Sequence, residues 1–351
     1  ESWEVGLEGK LFKSRLNFDV AYYHSETTDQ IITVPIDQAV GATSVVVNAG
    51  CVRNRGVEVS ARFQPVKTKE FEWTISANWS KNWNKLADGV AMWNLNPNIT
   101  VGGNIYIRAY PGTELGRLYG RGYERAPEGA FYVDADGSYV DCSNQIVVDA
   151  ETGSARLTST EDELLDLGSI YPDWTAGMSH SLSYKGFRLG LSFSAQWGGK
   201  TYSMTHFALA YQGKLKNSLK GRYAGMIVPG VNLNENGTYS KNTTITTDIV
   251  DHYTNYVYAR ENAEENVFDT SFLKLKELRL EYSLPRHLCS KTRVFQGITV
   301  GVYATNLFCW TNFPLYDPEA GYAVGSSISR GIEAGAYPMT RTYGINLKLD
   351  F

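Results

Sequence analysis

Two-residue alternation of apolar and polar side chains runs through most of the chain. From Leu16 the apolar set is Leu16, Phe18, Val20 and Tyr22, with Asn17 and Asp19 between them. After Gly56 come Val57, Val59, Ala61 and Phe63 against Glu58, Ser60 and Arg62, and then Trp73, Ile75, Ala77 and Trp79 against Thr74, Ser76 and Asn78. In mid-chain Trp174, Ala176, Met178, Leu182 and Tyr184 share one parity, and after Lys185-Gly186 so do Phe187, Leu189, Leu191, Phe193, Ala195 and Trp197. A strand turns successive side chains to opposite faces, so each segment predicts a strand with one apolar and one wet face. Aromatics stand at both ends of these strands with aliphatics between, the order met in crossing interface, hydrocarbon and interface. The last segment alternates Tyr343, Ile345, Leu347, Leu349 and Phe351 against Gly344, Asn346, Lys348 and Asp350. Parity slips between Leu273-Leu275 and Leu278-Leu280-Tyr282-Leu284, which predicts a bulge near Lys276 and Glu277.

Connections alternate in length. Short ones are read at 10–15, 67–70, 111–114 and 185–186, with a longer one at 285–296; long ones are read at 25–55, 82–103, 124–172, 198–270 and 310–337. Short periplasmic turns and long extracellular loops follow that rule in outer-membrane barrels. The pattern predicts an all-β fold, an antiparallel transmembrane β-barrel seen here as a partial barrel of about 10–12 strands, half of the roughly 22 in plugged transporters. Two unpaired edges would then await partner strands.

Composition agrees with this picture. Hydrophobic residues make up 43%, yet no run approaches the roughly 18 apolar residues of a membrane helix, which excludes a helical membrane protein. Aromatics reach 13%, with 23 Tyr, matching the girdles of a barrel. The net charge of −4, with no basic run, argues against nucleic acid as a partner. Cys51, Cys142, Cys289 and Cys309 are widely spaced with no CxxC pair, so neither a zinc site nor a disulfide framework is indicated. The chain opens at Glu1 with no initiator Met or signal peptide, which an exported barrel requires, so the start is expected to be missing.

Three segments resemble the SusC/RagA family of TonB-dependent transporters. They are SFLKLKELRLEYSLP from Ser271, NLFCWTNFPLYDPE from Asn306, and YPDWTAGMSHSLSYKGFRLGLSFSAQWGGKTY from Tyr171. Weaker likenesses are NRGVEVS from Asn54 and MTRTYGINLKLDF from Met339, so the resemblance spans nearly the whole chain. It implies that residues 1–351 are the C-terminal portion of the barrel domain, with plug, TonB box and first strands absent. It further implies residence in a Gram-negative outer membrane, surrounded by its lipid. The implied activity is active import of oligosaccharides or peptides. The implied partners are a SusD-type surface lipoprotein as lid and, through the missing N-terminal part, the TonB-ExbB-ExbD complex. The terminal Phe351 resembles the assembly signal read by the barrel-assembly machinery.

Loop aromatics Trp93, Tyr202, Tyr211, Tyr223, Tyr256, Trp310, Tyr316 and Tyr322 can stack on sugars or anchor the lid, against the plainer reading of loop packing and girdle. Arg62, Asn78, Arg188, Gln196, Arg279 and Glu281 fall on polar parities and are expected to face the lumen and plug. Asp134, Asp136 and Asp141 resemble a calcium loop, but Tyr139 and Gln145 stand where an EF-hand has its Gly and bidentate Glu; an Asp-Gly turn is favoured, and no cofactor is expected beyond that structural calcium. Glu161, Asp162, Glu163 and Asp166 read as a solvated face rather than paired catalytic carboxylates. His24, His180, His206, His252 and His287 form no catalytic or metal motif, so the chain is not read as an enzyme. The rival readings are a surface β-sandwich that binds carbohydrate without transport, and an outer-membrane enzyme on a smaller barrel.

Overall fold

The computed structural model describes residues 1–35, 41, 44–48, 50–87, 93–94, 105–159, 164–289, 291, 294–319, 322–324 and 327–351. Nine strands make one antiparallel sheet: β1 (Ser2–Leu11), β2 (Leu16–Thr28), β3 (Cys51–Lys67), β4 (Phe71–Leu86), β5 (Pro172–Tyr184), β6 (Phe187–Gly198), β7 (Phe272–Ser283), β8 (Gly297–Thr311) and β9 (Thr342–Asp350). Each pairs with its predecessor and its successor, and the sheet does not close, so β1 and β9 are its edges.

Register joins the separate alternations into two continuous faces. Leu7 pairs with Val20, Val20 with Val59, Val59 with Trp79, and Trp79 with Ala176. Further along, Leu182 pairs with Leu189, Leu189 with Leu280, Leu280 with Val302, and Val302 with Ile345. Directly opposed residues project to the same side, so a single apolar surface crosses all nine strands. Met178 is 44% exposed and Leu347 59%. Among the described residues no second sheet covers this surface, which removes the sandwich reading. Water could not tolerate so much exposed hydrocarbon; lipid can. The bulge falls where parity slips, between Leu275 and Glu277. The β5–β6 turn has positive φ at both Lys185 (45°) and Gly186 (90°), the two-residue form whose twist suits a hairpin.

The strand count departs from the sequence reading at one place. The strands on either side of 111–114, Ile105–Ala109 and Arg117–Gly120, do pair with each other, but in a separate four-stranded sheet with Leu165–Ser169 and Trp93–Asn94. Ile105, Ile107 and Leu118 are buried there with Tyr202, Ala263 and Ile332. Among the described residues the wall therefore has nine strands, against an expectation of about eleven.

The long connections build a cap over one end of the wall. It contains a five-stranded sheet, a helix at Met204–Tyr211, and short strands that link different loops. Tyr202 pairs with both Val267 and Ile332, so three distant segments meet at one strand. The cap seats on the wall where Val52, Leu86 and Ala109 pack together.

Candidate functional site: polar wall and loop cap

The wall's second face carries the chemistry. Arg62 lies between Asn17 and Ser76, and Asn78 between Ser60 and Gly177. A Cβ at Gly177 would stand 2.5 Å from Asn78 Oδ1, so glycine there makes room for the amide. Arg188 lies between Ser183 and Glu281. Arg279 Nη2 meets Glu277 Oε1 at 3.1 Å and its Nη1 meets Glu281 Oε1 at 3.9 Å. Gln196 Nε2 donates to Thr270 Oγ1 at 2.9 Å, just below the cap. All six predicted lumen residues therefore share the polar face.

Where that face meets the cap, two segments that drew attention in the sequence lock together. Lys274, on β7, is buried, and its ammonium donates to Asp317 Oδ1 at 2.5 Å and to Glu319. Lys276 also reaches Glu319, at 2.6 Å. Thr311 Oγ1 donates to Ser271 O at 2.7 Å. The loop after β8 is thus held to β7 by two cations and two carboxylates. Sequence reasoning noted both segments but not the pairing, since 43 residues separate Lys274 from Asp317.

Deeper in the cap, Glu333 accepts from Ser203 Oγ at 2.5 Å and from Thr205 Oγ1 at 2.6 Å, beside the N-terminus of the Met204–Tyr211 helix. His206 is buried between the Tyr258 and Phe268 rings, with Nδ1 2.9 Å from Asn266 Oδ1. Burial disfavours its cation and pulls its pKa below the usual histidine value, against the smaller opposing effect of the Asn266 bond. Burial likewise pushes the Glu265 carboxyl up, while Glu264 pairs with Arg125 at 2.6 Å.

The described residues thus build a nine-stranded wall, greasy on one side and charged on the other, beneath interlocked loops. The family described as TonB dependent receptor-like, beta-barrel matches residues 1–203, more than half of the chain. The chain belongs to that family. It is 25% identical to TonB-dependent receptor P3 of Formosa agariphila over 99% of its own length and 34% of that protein. It is 28% identical to TonB-dependent receptor P26 of the same organism, over 100% of its own length and 34% of that protein. With TonB-dependent receptor SusC of Bacteroides thetaiotaomicron it shares 22% identity, covering 100% of this chain and 32% of SusC. The solved RagAB peptide importer in its closed-closed state has the same fold, with a TM-score of 0.68 at 23% identity over 100% of this chain and 35% of the matched one. This receptor chain thus spans about a third of the length of the relatives it matches.

The predicted aromatics of the receptor's loops divide. Tyr202 is buried in the cap core. Trp310 pairs with Leu273 on the apolar wall face and stacks near Phe308 at 5.7 Å, a girdle position rather than a loop contact. Tyr211, Tyr223 and Tyr316 are exposed on the cap, and Tyr256 is half-buried. Trp93 and Tyr322 lie on strands whose side chains fall outside the described residues. Phe351 follows β9, its ring 5.2 Å from that of Phe295.

Asp134, Asp136 and Asp141 belong to one hairpin, and each carboxylate accepts from its own turn: Ala135 N, Ser138 N and Ser143 N. Gly137, at φ +84°, closes the Asp-Gly turn. Among the described residues no group of three or more His, Cys, Asp and Glu side chains is arranged to hold a metal. Of the acidic cluster, Glu161, Asp162 and Glu163 lie outside the described residues, while Asp166 accepts from Arg117 Nε at 2.7 Å.

Proposed function

We propose that this chain is the C-terminal part of the barrel of an outer-membrane importer for large nutrients, oligosaccharides or peptides. The observation that carries the reading is the unbroken apolar face across nine strands, backed by a polar face with Arg62, Arg188, Arg279 and Glu281. In this reading the polar face lines a lumen that a plug occupies, and the cap forms the extracellular mouth. A SusD-type lipoprotein closes over the exposed cap aromatics Tyr211, Tyr223 and Tyr316. Energy reaches the plug from TonB-ExbB-ExbD. Family membership and the shared fold with RagAB, itself a peptide importer, support the assignment. The terminal Phe351 fits an assembly signal, and any cation at the Asp134 hairpin is a structural accessory.

The test uses the full-length protein in its own cells. It should fractionate with outer membranes, migrate as a heat-modifiable barrel, and support protonophore-sensitive uptake of a labelled oligosaccharide pool or a labelled peptide pool. Uptake of both pools unchanged by deletion of the gene would refute the import reading.

A further inference from the structure

On strands β1 to β4 the apolar face ends toward the cap in a line that the register defines: Val5 pairs with Tyr22, Tyr22 with Val57, and Val57 with Lys81. One step further out stand Trp3, His24, Arg55 and Trp83, again each opposite the next. Beyond these, Arg53 opposes Lys85. All of these residues project to the same side as the lipid-facing belt. The step from Val57 to Arg55 is two residues, about 6–7 Å along a strand. The cations therefore sit immediately above hydrocarbon, at headgroup depth.

Their partners are few. Glu26 takes Arg53 at 3.0 Å. Among the described residues, Arg55, Lys81 and Lys85 form no ion pair with a carboxylate. Lys81 Nζ lies 5.0 Å and Arg55 Cζ 5.8 Å from the centre of the Trp83 ring, which holds both heads beside one aromatic. At two other places on the same rim the facing pairs are uncharged: Trp174 stacks on Trp197 at 6.4 Å, and Leu273 opposes Trp310. Nothing in the linear sequence marks this cluster, since its cations come from two strands and only the pairing of those strands brings them together.

We infer that Arg55, Lys81 and Lys85, framed by Trp3 and Trp83, bind the phosphate of an anionic lipid headgroup in the leaflet on the cap side. Guanidinium and ammonium groups match phosphate oxygens in charge and geometry. Interfacial Lys and Arg attract anionic lipid, and the indole rings anchor at headgroup level. Among the described residues these three cations on a lipid-facing wall have no carboxylate partner, so charge complementarity selects the lipid as occupant. The inference rests on the outer-membrane reading above.

The full-length receptor, purified in detergent, is titrated with diphosphorylated lipid A and separately with its phosphate-free form, and retained lipid is counted by native mass spectrometry. The wild type should retain the phosphorylated form at least about fivefold better, the effect of one interfacial cation. The variant R55Q/K81Q/K85Q should lose that preference, and K69Q/K185Q at the opposite rim should keep it. Equal retention of the two lipids by the wild type overturns the inference, even if the triple variant does not assemble. An unchanged preference in an assembled triple variant overturns it too. Recovery of the wild type outside the outer membrane would overturn the import reading as well, whereas correct location without a phosphate preference overturns the lipid site alone.

Discussion

Lys274 shows how one buried charge can organise a segment. Its side chain is 6% exposed and that of Asp317 8%, so water screens the pair poorly. Removing one partner leaves the other buried and uncompensated, a cost of about 3–5 kcal/mol. Lys274→Met in the full-length receptor should therefore lower the temperature at which the folded barrel converts to the slow-migrating form, and should deprotect amides of residues 312–319 in hydrogen exchange. Adding Asp317→Leu should recover much of the loss, because no lone charge then remains; a double variant as weak as the single one would contradict the pairing. His206 makes a second residue-scale prediction. Its folded-state pKa is depressed by burial, so folding favours the neutral ring. The associated stability is complete above the unfolded histidine value of about 6.5 and is lost as pH falls from there toward the depressed value. Amide protection of the Met204–Tyr211 helix should drop between about pH 7 and 5, and His206→Gln should flatten that dependence. Equal protection at both pH values would exclude the effect.

At the scale of strands, alternation was a faithful guide to the wall, because lipid on one side and water on the other impose the same period on every strand. Leu191, opposite His180 and Leu278, lies mid-wall on the apolar face, and Ser192 points the other way. Leu191→Arg should cost about 2–4 kcal/mol and reduce assembled barrel in the membrane. Ser192→Arg should change assembly little, so equal losses from both would mean that the faces are assigned wrongly. The same rule misled at Ile105–Ala109, where the burial of Ile105, Ile107 and Ala109 alternates as regularly as on any wall strand. Period two reports that one face is dry; it does not report whether lipid or protein dries it. The bulge beside Lys276 was legible because it shifts parity. The Lys274 network was not, because loops carry no period that would reveal which carboxylate returns to which lysine. The alternation of loop lengths puts Trp310 at the start of the 310–337 connection, whereas strand β8 continues through Thr311 and sets Trp310 opposite Leu273 on the apolar wall face.

For the whole molecule, the charges on the polar face allow the proposed transport to be tested apart from construction of the wall. Charge reversal at Arg188 or Arg279 in the full-length receptor leaves the lipid face intact, so heat-modifiable barrel should form in normal amount while uptake changes severalfold. Loss of the assembled barrel with no specific transport defect would instead give these arginines a structural role. The cap has the opposite character, being almost invisible in sequence because its strands are only two to five residues long, too short for a period to show. It forms because pieces of different loops complete one another: Tyr132 lies beside Tyr239, Val147 beside Val231, and Tyr202 beside Ile332. Anyone wishing to redirect such a receptor by grafting a single excursion from a relative would leave half-sheets without their complements. Exchange should succeed only when the interleaved segments are transplanted together, so natural diversification of the mouth is expected to proceed in blocks rather than loop by loop.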